Sequence, residues 1–212
     1  MTHWRFEISN KAGFLDVNGK VVFSDIRELG IESVEDVISE KVYLIDADFD
    51  QVFAERVAKE LLSDPVCQEC FIGRSGIPAG PMKATLVEVH LKSGVTDPVA
   101  ESVHSALKDM GAGNVEHDRT VRKYVLLGNA VTEADCELIA RRVLANDCIE
   151  EVIFGQDTEP PSPHTQPYEL QLRTVPIREL DENGLVKLSK DMDMFLNLKE
   201  MQTIQEYYRR LD

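Results

Sequence analysis

Cys67 and Cys70 form a Cys-x-x-Cys pair, a spacing that can serve thiol redox chemistry or supply half of a zinc site. A structural zinc ion takes four ligands, and no second pair with suitable spacing lies nearby. The chain also supplies its own control, because it repeats itself. An offset of 82 carries Cys67 and Cys70 onto Ile149 and Val152, and carries Cys148 back onto Val66. Three of the four cysteines therefore stand where the other copy holds an aliphatic residue. The expected role is that of a small buried hydrophobe.

The other chemistry-bearing residues are scattered. His3, His90, His104, His117 and His164 make no pair at i, i+4, so surface or hydrogen-bonded histidines are expected. Asp46, Asp48 and Asp50 lack the glycine and the distal glutamate of a calcium loop, and with Asp191 and Asp193 they are expected to be solvated. No Gly-x-Ser-x-Gly, dinucleotide fingerprint or phosphate loop is present. Catalysis by this chain alone is not expected. A net charge of −15 over 212 residues opposes binding to phosphate backbones and to anionic membranes. No apolar run approaches the roughly 20 residues that span a bilayer, and the N-terminus lacks a signal peptide's apolar core, so a cytoplasmic location is expected.

The elements that must position these residues follow from the repeat. Adding 81 takes Lys11, Gly13 and Asp16 to Lys92, Gly94 and Asp97, and Gly30 and Tyr43 to Gly111 and Tyr124. The offset then becomes 82, taking Ala58 to Ala140, Leu62 to Leu144 and Gly73 to Gly155. Each copy opens with polar–apolar alternation: Trp4, Phe6 and Ile8, then Val87 and Val89 around Glu88. This predicts half-buried strands. A helix follows, with stripe Val22, Ile26, Leu29 or Val103, Leu107, Met110. Asp97 is its N-cap and Pro98 its first residue, while Gly30 and Gly111 end the two helices. Next come β-rich stretches at 42–45 and 124–127, each one bent strand or two short ones. Second helices carry Val57, Ala58, Leu61, Leu62 and Ile139, Ala140, Val143, Leu144. Last strands run over 66–72 and 148–154.

The expected fold is α+β: two repeated β-α-β-α-β modules forming a pseudo-dimer, plus a C-terminal helical extension. The expected divisions are 1–73, a Gly/Pro linker 74–83, a second repeat 84–155, a proline-rich linker 156–183 and helical residues 184–212. A copy of about 70 residues has a marginal core alone. Two helices on one face of each sheet leave the other face to cover, and the second copy is the expected cover. In the extension, Asn197 and Glu200 form a capping box, Leu196 and Met201 a staple, and Leu198, Met201, Ile204, Tyr208 and Leu211 one stripe. So short a helix needs something to pack on. It either docks on the repeats or opens a longer polypeptide.

Both copies resemble the small PurS subunit of phosphoribosylformylglycinamidine synthase. That family's strand ending Lys-x-Gly-Val and its Asp-Pro-x-Gly helix start are matched by Lys92, Gly94, Val95, Asp97 and Pro98. In copy one, Asp16 and Gly19 match, with Val17 in place of the proline. The family's Lys-Tyr is Lys123 and Tyr124, preceded by Arg122 instead of glycine. Its Leu-Leu-Ala-Asn-Pro-Val-Ile-Glu run is similar to Leu144, Ala145, Asn146, Ile149 and Glu150, with Asp147 at the proline, and to Leu61, Leu62, Pro65 and Val66. Leu198, Glu200, Met201, Ile204, Gln205, Glu206 and Tyr207 resemble the opening of the synthase large subunit.

The resemblance implies a scaffold that bridges glutaminase and synthetase subunits and aids ammonia transfer, with no catalytic, cofactor or metal residue of its own. Lys11, Gly13, Asp16, Gly19, Tyr43, Lys92, Gly94, Asp97, Pro98, Lys123 and Tyr124 would be structural or interface positions. ATP and magnesium are implied only for the full complex. Self-association as a homo-oligomer stays open. A metabolite-sensing module is the alternative, which a buried polar cleft between the copies would favour.

Overall fold

The computed structural model describes residues 2–74, 81–155, 174–192 and 194–211. Gly76, Pro78 and Gly80 of the first linker lie outside the described residues. So do Pro160, Pro161, Pro163 and Pro167 of the second, His164 and Asp193, and the side chain of His117. The chain divides into two compact units, Met1–His164 and Thr165–Asp212.

In the first unit, repeat one comprises β1 (Thr2–Asn10), α1 (Val17–Glu28), β2 (Asp36–Ala47), α2 (Gln51–Val57) and β3 (Gln68–Ile72). Repeat two comprises β4 (Ala84–Leu91), α3 (Pro98–Asp109), β5 (Val115–Leu127), α4 (Glu133–Ile139) and β6 (Glu150–Phe154). Both second helices widen into a π-helical turn, Ala58–Leu62 and Ala140–Leu144. The shared irregularity marks one inherited backbone. Each β-rich stretch is a single long strand, and β2 and β5 change register between Asp46 and Ala47.

The strands form one six-stranded antiparallel sheet in the order β3-β1-β2-β5-β4-β6. The copies thus pair as expected, but by a different joint. They meet edge to edge along β2 and β5, so that a ladder of backbone hydrogen bonds removes two sheet edges at once. Lys41 faces Arg122, its own counterpart at offset 81, so a pseudo-twofold axis passes between them.

The helices then interlock. Val103 and Leu107 of α3 share a core with Phe6, Ile8 and Ile45 of repeat one and with Ala54 and Val57 of α2. Val22 and Ile26 of α1 share a second core with Val87, Val89 and Leu126 of repeat two and with Ile139 and Leu144 of its second helix. Each first helix is therefore completed by the other copy. Ile26 and Leu107 are wholly buried, and truncating either to alanine would cost about 2–5 kcal/mol.

Several expected details change. Leu29 is a largely exposed C-cap, and Met110 is the matching C-cap, half-buried. The last strands begin two residues later than predicted, at Gln68 and Glu150, because turns occupy the residues before them. β4 is buried on both faces, with Leu86, Glu88 and His90 as inaccessible as Val87 and Val89.

The second unit holds a short 3-10 turn (Ile177–Glu179), α5 (Glu182–Asp191) and α6 (Leu198–Arg210). Asn197 and Glu200 form the predicted capping box. The stripe is shorter than expected: Met201 is buried with Gln205, whereas Tyr208 and Leu211 are exposed. Gln205 is buried because its amide donates to the carbonyls of Ile177 and Leu180, tying α6 to the segment before α5. No helix among the described residues is long and apolar enough to cross a membrane.

Candidate functional site

The two copies use their shared residues in the same way. Asp16 caps α1 by accepting from the Gly19 amide at 2.9 Å, and it also accepts from the amide and hydroxyl of Ser39 on β2, at 2.6 and 2.7 Å. Asp97 caps α3 through the Ala100 amide at 2.9 Å and accepts from the amide and hydroxyl of Thr120 on β5, both at 2.8 Å. One carboxylate thus pins a helix start to a central strand, twice. Pro98 occupies the first position of α3, where no amide is needed.

Lys11 donates its ammonium to the Pro65 carbonyl, and Lys92 donates to that of Asp147, the corresponding residue. Both lysines tie the first loop of a repeat to the loop before its last strand. Gly13 and Gly94 sit at φ +92° and +85°, the left-handed region that side chains avoid. Gly19 is required by contact instead: a Cβ there would lie 2.5 Å from the Val37 carbonyl oxygen. Tyr43 packs against the core under α2 and α3, while Tyr124 is buried in the core under α1 and α4. These predicted positions hold the fold, and they are not brought together around one point.

Lys123 is different. It lies buried on the sheet face opposite Tyr124, with its ammonium 2.7 Å from Glu7 of β1 and 2.7 Å from Glu40 of β2. Arg5 reaches Glu7 and Glu88, each at 2.5 Å, and His90 lies 3.0 Å from Glu88. Glu7, Glu40, Glu88, Lys123 and His90 each have a side chain no more than 8% exposed. Burial pushes the Glu88 carboxyl up, but hydrogen bonds and charge from His90 and Arg5 outweigh it and hold the group at about 2. Only Lys123 of this cluster stands out in the sequence. The available signal was Glu7 matching Glu88 at offset 81, with both standing among apolar strand residues.

Two grooves open beside the capped helix starts. One, about 650 Å³, is lined by His90, Lys92 to Asp97, His104, Glu116 and Asp118, all of repeat two. The other, about 420 Å³, is lined by Leu15, Val17 and Val21 of repeat one with Arg122 and Tyr124 of repeat two. In the first, His104 Nδ1 lies 2.7 Å from the Asp118 carboxylate. The same positions in copy one are Phe23 and Val37, so this pair belongs to one copy only.

The remaining candidates separate. Cys136 is buried, Cys67 and Cys70 are half-buried, and Cys148 is exposed. The buried-hydrophobe reading therefore fails at Cys148, which falls on the turn before β6. Burial pushes the Cys70 thiol up to about 11, the opposite of an activated nucleophile. His3 lies 2.6 Å from Asp46, and Asp50 caps α2, so two of the acidic residues expected to be solvated have structural partners.

A profile of the family described as PurS, phosphoribosylformylglycinamidine (FGAM) synthase, matches residues 3–74 and again 84–156. No curated protein matches the chain. The two matched segments are the two repeats, and together they exceed half of the 212 residues. The chain therefore belongs to the PurS family, as a tandem duplication of its domain, with a role in FGAM synthase and purine biosynthesis.

Proposed function

We propose that this chain is a non-catalytic bridge in FGAM synthase, holding glutaminase and synthetase together and aiding passage of ammonia between them. One observation carries this reading. Of the positions shared by the copies and the family, Lys11, Asp16, Lys92 and Asp97 bond the chain's own backbone in both repeats, and Gly13 and Gly94 supply the same left-handed turn. Residues spent on positioning two modules identically serve a platform, whereas chemistry needs a nucleophile, acid or base at a reacting atom.

An uneven surface supports a partner-binding role. Phe14, Leu15, Val17 and Val21 are between 48% and 68% exposed, beside the smaller groove. Their counterparts in copy two are Val95, Thr96, Pro98 and Ser102, a more polar set. An apolar patch confined to one copy suits a partner that meets one end of the platform. In this reading ATP and magnesium act on the synthetase. α5 and α6 are proposed as the start of the large-subunit-like segment, which lies outside the family match.

The sensor alternative called for a buried polar cleft between the copies. Among the described residues, the buried charges at that junction are bonded to one another. The test is assembly: light scattering on a mixture with the matching glutaminase and synthetase core. A ternary complex that Leu15→Glu with Val21→Glu dissolves is expected. Assembly indifferent to both substitutions would overturn the assignment of that surface, and failure to assemble at all would overturn the bridge.

A further inference from the structure

The geometry points to a heterospecific joint: the buried charges at the β2–β5 seam make repeat one accept repeat two and reject a second copy of itself. The argument uses the pseudo-twofold axis. Because Lys41 faces Arg122, a seam built from two copies of repeat one would keep the same register, placing Val42 where Lys123 now stands and Glu40 where Val121 now stands. Such a seam would bury two Glu7 and two Glu40 carboxylates with the guanidiniums of Arg5 and Arg74 but with no cation at the position of Lys123, 2.7 Å from Glu40 in the real seam. Leaving a charge buried without its partner is strongly unfavourable, whereas an intact buried pair contributes more to specificity than to stability.

The seam that exists divides its charges between the copies. Repeat one supplies Glu7, Glu40, Arg5 and, 3.6 Å from Glu88, Arg74, and repeat two supplies Lys123, Glu88 and His90. Lys123 binds two carboxylates of the other copy, Glu7 and Glu40. Arg5 spans both copies through Glu7 and Glu88. A seam of two repeat-two copies would retain Lys123 opposite Glu88 but lose Glu40, and Leu86 would replace Arg5. Discrimination therefore rests mainly with repeat one. The partner selected by this surface is a β-edge that presents a buried lysine at the position of Lys123.

The test uses the intact chain first. Glu40→Val should destabilise the native protein, which loses an ion pair, yet stabilise Lys123→Val, which otherwise buries Glu40 without its cation. The expected signature is a change of sign, with coupling of at least about tenfold in the unfolding equilibrium. The same effect of Glu40→Val in both backgrounds would overturn the proposal. Selection itself is read from a chain cut at a protease site inserted between residues 75 and 80, unfolded and refolded with both pieces present. Native mass spectrometry should find repeat one paired with repeat two in at least about tenfold excess over repeat one paired with itself. A statistical mixture would also overturn it. Pieces that fail to refold leave the decision to the sign change, which needs no fragment to fold.

Discussion

Removing the Asp97 carboxylate should test whether the shared acidic positions hold the fold or act on a substrate. Asp97→Ala deletes the cap on the Ala100 amide, worth about 1 kcal/mol. It also strips the acceptor from the half-buried Thr120 amide and hydroxyl, adding about 1–2 kcal/mol. The total is about 2–3 kcal/mol. For a unit of this size each kcal/mol lowers Tm by about 2–4 °C, giving a loss of roughly 4–12 °C. Asp16→Ala should cost the same, since Asp16 makes the same set of contacts through Gly19 and Ser39. Asp97→Asn keeps one acceptor oxygen and should lose about half as much. Urea unfolding and calorimetry measure these differences directly. Below its lowered Tm, the Asp97→Ala protein should still support synthase turnover in the assembled complex. A stability change under about 0.5 kcal/mol, or full loss of turnover in folded protein, would refute the structural role.

Gly19→Ala should be destabilising by about 2 kcal/mol, because the new Cβ meets the Val37 carbonyl oxygen, whereas Ala100→Gly at the matching position should cost only about 1 kcal/mol of helix propensity; thermal melts of both separate contact from propensity. Glu88, held at about 2 in the folded protein, contributes stability that is present above its unfolded value near 4.5 and is lost as pH falls from there toward 2. That loss is about 3 kcal/mol, and Glu88→Gln should flatten it; acid titration followed by circular dichroism tests the sign and the window. A thiol reagent at neutral pH should label exposed Cys148 first and reach Cys70 and Cys136, whose thiols burial pushes up, slowly; mass spectrometry of the labelled peptides gives the order.

The repeat and its local signals made much of the fold legible. Asp97, Pro98, Gly30, Gly111 and the Asn197 capping box act through neighbours in sequence, so their types alone predict the elements they bound. The joint between copies was not legible in the same way. The β-rich run at 42–45 predicts a strand but does not say which strand lies beside it, and an edge ladder and a face-to-face stack bury similar residues. The crossing of α1 over repeat two and α3 over repeat one follows only once β2 and β5 pair. The charge cluster failed to register for a related reason. Glu7, Glu40 and Lys123 lie far apart in the chain, and nothing in the sequence links Lys123 to either glutamate until the sheet brings them within 2.7 Å. Cys148 shows the limit of the repeat as a control: its counterpart Val66 is itself exposed, so an aliphatic partner did not mean a buried position.

Reconstituted turnover tests the bridge most directly. The matching glutaminase and synthetase core would be assayed for amidine formation from glutamine and, separately, from free ammonium, with and without this chain. The bridging account predicts that omitting the chain abolishes glutamine-driven turnover and leaves ammonium-driven turnover in place. Glutamine-driven turnover that is unchanged without the chain would contradict it.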